Sequence, residues 1–167
     1  MQKLEPPDSF HFDAAVGWLG LGAAGDARHE LEQISPEHQN RADVLEIRWL
    51  VNIQEQRWSE ALQTAEIELH TAPTNVSGWL HRAYALRRIQ NGGLHQAWEA
   101  LVPAADKFPQ EPVVAFNLSC YACQLGQLDA ARVWLKCALK IGGAQAIKTM
   151  ALADEDLKPL WPEIKEL

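Results

Sequence analysis

The chain has 167 residues and a mass of 18.7 kDa, enough for one continuous core or a short array of small units. Apolar residues at 47% and charged residues at 22% match ordinary globular proteins, which excludes a disordered or collagen-like chain. The net charge of −7 argues against a phosphate backbone as partner, because sequence-independent nucleic-acid affinity comes from clustered Lys and Arg.

Residues 1–7, with Pro6 and Pro7 adjacent, read as a disordered N-terminal tail and lack the apolar stretch of a secretory signal. From residue 8 onward, helix-length amphipathic runs alternate with short connections. The first unit, about 8–41, carries Ala14-Ala15-x2-Trp18, the connection Leu21-Gly22-Ala23-Ala24-Gly25, then Ala27, Leu31 and Ile34, and stops at Ser35-Pro36. The second, 42–75, turns at Glu55-Gln56-Arg57 and runs through Trp58, Ala61, Ala65 and Leu69 to Pro73. The third, 76–111, carries Trp79-x2-Arg82-Ala83-x2-Leu86, turns at Asn91-Gly92-Gly93 and ends at Pro109. Pro103 falls inside its second helix, where the missing N–H predicts a kink or a shift. The fourth, 112–145, carries Ala115-x2-Leu118-Ser119-x2-Ala122, turns at Leu125-Gly126-Gln127 and ends at Gly143. Residues 146–167 read as a cap, with Ile147, Met150 and Leu152 on one helical run and Asp154 as N-cap of a last short helix through Leu157, Leu160 and Trp161. No run sustains the period-two alternation of a strand.

These units repeat. Ala27-x3-Leu31, Ala61-x3-Ala65, Ala97-x3-Leu101 and Ala131-x3-Leu135 place their anchor alanines 34, 36 and 34 residues apart. A small residue at each anchor lets two helices approach to roughly 8–10 Å while the larger neighbours fill the gap. A single pair of such short helices cannot bury its apolar face alone, so each unit needs its neighbours and the ends need caps. The helix-turn-helix period, the Leu125-Gly126-Gln127-Leu128-Asp129-Ala130-Ala131 segment and the terminal Pro or Gly together resemble the tetratricopeptide repeat. In the first helix of the second unit, Arg48 and Asn52 stand where Leu and Tyr are expected. The expected fold is all-α: a right-handed α-solenoid of four helical hairpins and a C-terminal capping helix segment, forming a single domain over residues 8–167.

The resemblance implies a non-catalytic protein–protein interaction module, an adaptor, scaffold or small chaperone, that grips a peptide or partner segment in a concave groove lined by the first helix of each unit. The implied groove stripe is Phe12, Val16 and Leu19 in the first unit, Glu46, Leu50 and Ile53 in the second, Leu80, Tyr84 and Arg87 in the third, and Phe116, Cys120 and Cys123 in the fourth. The i, i+4, i+7 spacing puts each set on one helix face. Arg87 and Arg88 add a basic spot suited to an acidic side chain. Asn117 matches the carboxylate-clamp Asn of chaperone-binding members, but Asp13, Ile47 and His81 occupy the equivalent places, so that clamp is incomplete and Asn117 is left to a peptide backbone or to solvent. The alternative function is self-assembly through the apolar groove or a terminal unit, giving a homodimer.

Other chemistry finds little support. Cys120-x2-Cys123 has half-site spacing, yet Cys120 lies mid-helix and no second pair completes a zinc set, so Cys120, Cys123 and Cys137 read as small hydrophobes. The six histidines, His11, His29, His38, His70, His81 and His95, show no ligand spacing. Phosphate loops and nucleophile elbows are also missing, so no catalytic residue, metal or cofactor is expected. Seven tryptophans spread through all units and the cap read either as inter-unit packing or as an aromatic surface. No stretch approaches the length needed to cross a bilayer, and a cytoplasmic protein with reduced thiols, away from membranes, is expected.

Overall fold

The computed structural model of the chain describes residues 3–166; Met1, Gln2 and Leu167 lie outside them. The described residues form ten α-helices and no strand: α1 (Asp8–Gly20), α2 (Ala24–Gln33), α3 (Ala42–Gln54), α4 (Trp58–Thr71), α5 (Val76–Leu86), α6 (Leu94–Lys107), α7 (Pro112–Gln124), α8 (Leu128–Gly142), α9 (Ala144–Ala153) and α10 (Trp161–Glu166). Two short 3₁₀ segments, Pro36–His38 and Glu155–Leu160, complete the order. The chain divides into two compact units, Met1–Ala85 and Leu86–Leu167. That boundary falls within the third expected hairpin, at the end of α5.

Helices stop where the sequence withdraws their hydrogen bonds or their preferred dihedrals. α4 ends two residues before Pro73 and α6 two before Pro109. α8 ends at Gly142, and Gly143 has φ of 84°, a left-handed conformation that a Cβ would strain. Between paired helices the connection takes a positive φ at Gly22, Gln56 and Gly126, so Gln56 bears the strain that its glycine counterparts avoid. α6 runs unbroken through Pro103 from Leu94 to Lys107.

In the first unit, α1 packs on α2, α3 on α4, and α3 also on α1 and α2. All four anchor alanines of the chain, Ala27, Ala61, Ala97 and Ala131, are fully buried. One core gathers Ala15, Ala24, Ala27, Leu31, Ile34, Val44 and Val51. Leu4 belongs to it at 6% exposure, so the tail expected to be disordered contributes a core side chain. A second cluster holds Trp49, Ala61, Ala65 and Ala85, with Leu50, Ile53, Leu62 and Tyr84 against it.

The irregular positions of α3 are polar and satisfied. Asn52 is buried at 1% exposure; its Nδ2 donates to Thr64 Oγ1 at 3.2 Å and its Oδ1 accepts from Arg28 at 3.1 Å. Arg28 also pairs with Glu55. Arg48 donates to the Gln39 carbonyl at 3.2 Å and to its side-chain oxygen. At the start of α1, the buried Asp8 carboxylate accepts from the Ser35 amide and hydroxyl, both at 3.0 Å, and pairs with His38.

In the second unit, α6 packs on α7, α7 on α8, and α8 on α9. The core joins Ala115, Phe116, Cys120, Ala122, Cys123, Leu135 and Ala138 to Ile147, Leu157, Leu160 and Ile164. Ser119 Oγ donates to the Ala131 carbonyl at 2.8 Å inside the α7–α8 contact. Tryptophans pack in both units: Trp98 meets Trp134 edge-on with ring centroids 6.3 Å apart, Trp161 Nε1 donates to the Ala151 carbonyl at 2.9 Å, and Trp49 is buried in the first unit. Trp18 is exposed.

Candidate functional site

The expected groove stripe meets two different fates. In the first unit, Leu19 from α1, Leu50, Ile53 and Gln54 from α3, Trp58 from α4 and Tyr84 from α5 line an open pocket of about 420 Å³. Trp58 and Tyr84 give it aromatic walls, and further rings adjoin Tyr84. The Trp49 ring stacks on His81 at 3.7 Å and meets Tyr84 edge-on at 5.7 Å, while Trp58 lies 6.2 Å from Tyr84. The rings hold the walls in place, and the Gln54 amide supplies a donor and acceptor at the rim. Phe12 instead leans on the first core, Val16 is exposed, and Leu80 is half-buried on α5.

In the second unit the chain covers the stripe itself. The segment Glu155–Leu160 packs against α7, and Phe116, Cys120 and Cys123 are buried in a core with Leu157 and Leu160. In the last hairpin the implied groove residues Phe116, Cys120 and Cys123 are therefore covered by the chain itself. Phe116 and Cys120 face the protein interior because Leu157, Leu160 and Ile164 supply the apolar surface a ligand would otherwise bring. The Cys120 thiol donates to Asp154 Oδ2 at 3.7 Å, and burial followed by the nearby Asp154 and Asp156 charges pushes its pKa far up. It is an inert thiol. Burial also pushes the Tyr121 phenol up to about 12, opposed by Arg87 and Arg88.

The basic spot is occupied from within the same unit. Arg87 grips Asp156 with both terminal nitrogens, Nη2 at 2.8 Å from Oδ1, and its guanidinium lies 5.8 Å from the centre of the Tyr121 ring. Asp154 caps the segment by accepting from the Asp156 amide at 2.9 Å. Gln124 donates to the Asp156 carbonyl at 3.0 Å. The acidic side chain expected from a partner near Arg87 is thus Asp156 of the chain itself. Arg88 is half-buried. Asn117 Nδ2 donates to the Val113 carbonyl one turn back at 2.9 Å, an intrahelical bond.

Gln54 and Asp156 belong to these surfaces without having been singled out from the sequence, and Trp58 was read there as a helix and tryptophan position but not as part of the groove stripe. Trp58 opens a second helix, outside the first-helix stripe. Asp156 has a signal in hindsight, an Asp-Glu-Asp run downstream of an Arg-Arg pair, but 69 residues separate it from Arg87.

No protein-family model matches the chain, and no curated protein matches it. Solved structures do. The crystal structure of TTC0263, a thermophilic TPR protein in Thermus thermophilus, superposes with a TM-score of 0.71 at 19% identity, covering 94% of this chain and 82% of that one. MamA AMB-1 in its P212121 form gives a TM-score of 0.63 at 21% identity, covering 96% and 91%. Its C2221 form gives 0.61 at 20% identity, covering 96% and 98%. With the repeat period and the buried anchor alanines, these likenesses identify the architecture: the chain has the tetratricopeptide-repeat fold.

Proposed function

We propose that the chain is a non-catalytic protein-interaction module, and that the pocket of its first unit takes an apolar side chain from a partner peptide. The observation that carries this reading is the pocket of Leu19, Leu50, Ile53, Trp58 and Tyr84, open to solvent and walled by apolar groups. Burying a leucine-sized or aromatic anchor there removes roughly 100 Å² or more of apolar surface from water, a gain of about 2–3 kcal/mol. The Gln54 amide offers the peptide backbone one donor and one acceptor beside that anchor. The likeness to tetratricopeptide-repeat structures supports protein binding as the general class. The partner segment is apolar and carries no need for an acidic residue, since Arg87 already holds Asp156.

Selection of a random peptide library against the full chain tests this, with binding followed by tryptophan fluorescence. Enriched peptides share an apolar anchor, and Ile53→Asp weakens them at least about tenfold while the far-ultraviolet spectrum stays helical. Peptides that bind Ile53→Asp as well as the parent chain overturn the reading.

A further inference from the structure

Within the first unit, three ligand-type side chains from three helices meet away from the apolar pocket: Glu46 of α3, Glu68 of α4 and His81 of α5. Each offers one ligand atom, and all three lie within 4.8 Å of one another. His81 Nδ1 is 2.7 Å from Glu68 Oε2, and His81 Nε2 is 3.8 Å from Glu46 Oε1. A neutral imidazole carries one N–H, so it cannot donate to both carboxylates. Glu68 is 7% exposed, and its second oxygen, Oε1, is buried without a hydrogen-bond partner. Glu46 and Glu68 line a small, partly open cavity of about 10 Å³, room for one water-sized sphere. Two carboxylates converge on one imidazole in a partly buried site, an acidic set that a bound cation would complete.

We propose that this cluster is a binding site for a divalent transition-metal ion of the zinc class, held by one imidazole nitrogen and two carboxylate groups with water completing the shell. Mixed nitrogen and oxygen donors suit zinc better than calcium or magnesium, which favour oxygen alone. A dication neutralises the two carboxylates and gives Glu68 Oε1 a partner. Trp49 stacked on His81 fixes the ring plane, so little ordering remains to be done when the ion arrives. Glu46, whose side chain is 44% exposed, marks the entry. The ion would tie α3, α4 and α5 together at one point.

Calorimetric titration of the full, chelator-treated chain with zinc chloride tests the site, with cobalt(II) as an optical probe. One equivalent of zinc binds, Trp49 emission changes, and the cobalt complex shows no thiolate charge-transfer band. Glu46→Gln, at a side chain exposed enough to leave the fold intact, weakens zinc at least about tenfold, as does His81→Gln. Absence of stoichiometric binding, a thiolate band, or unchanged affinity in Glu46→Gln overturns the proposal. None of these outcomes bears on peptide binding at Ile53.

Discussion

Asp8 shows how one buried carboxylate closes a hairpin. It sits in the first turn of α1, where the helix dipole favours negative charge, and ties that turn to Ser35 and His38 after α2. The hydrogen bond from His38, then that from the Ser35 amide, hold its carboxyl below the ordinary value of 3.8. The unfolded chain therefore binds this proton more readily than the folded one. The resulting stabilisation is fully present above the ordinary value and is lost as the pH falls through the lower folded-state value. Asp8→Asn is expected to lower Tm at pH 7, and the gap to the parent should close as acid titrates the parent's carboxylate. Thermal melts from pH 7 to below pH 4 check this. His38 and Ser35 stand 30 and 27 residues from Asp8, which is why no local pattern singled it out.

Helices and their caps carry the clearest division between what was legible and what was not. The anchor alanines were legible because close helix approach leaves no room for anything larger, and that demand recurs with every repeat. The stripe on α7 was legible as a helix face but not as a covered one. Its cover, Leu157 and Leu160, lies beyond the last repeat and obeys no period. The same holds for Glu46, Glu68 and His81, which share no spacing and meet only because three helices converge. Leu157→Ala, at a fully buried position, is expected to cost about 2–5 kcal/mol. If the segment shields α7 as described, labelling of Cys120 and Cys123 by a thiol reagent should speed up at least about tenfold, while half-buried Cys137 changes little. Time-resolved mass spectrometry of the labelled chain reads both.

At the scale of the whole molecule, each of the two compact units has its own apolar core. Repeat arrays draw stability from each unit and its near neighbours, so damage spreads over short distances. Leu45→Ala opens a cavity at a fully buried site in the first unit and should cost about 2–5 kcal/mol. Hydrogen exchange is expected to accelerate in α1 to α4 more than in α7 and α8. Equal acceleration throughout would mean that the chain opens as one cooperative block.

The amide of Asn52 has a consequence for how such a chain could be rearranged. Ala122 occupies the corresponding place in the last hairpin, so a shuffled protein with those two hairpins exchanged would set Arg28 against a methyl group, while Asn52 would travel with Thr64 and lose its Arg28 donor. One polar pin between Arg28 of the first hairpin and Asn52 of the second thus acts like a keyed joint: pieces cut to one pattern still assemble in a single order.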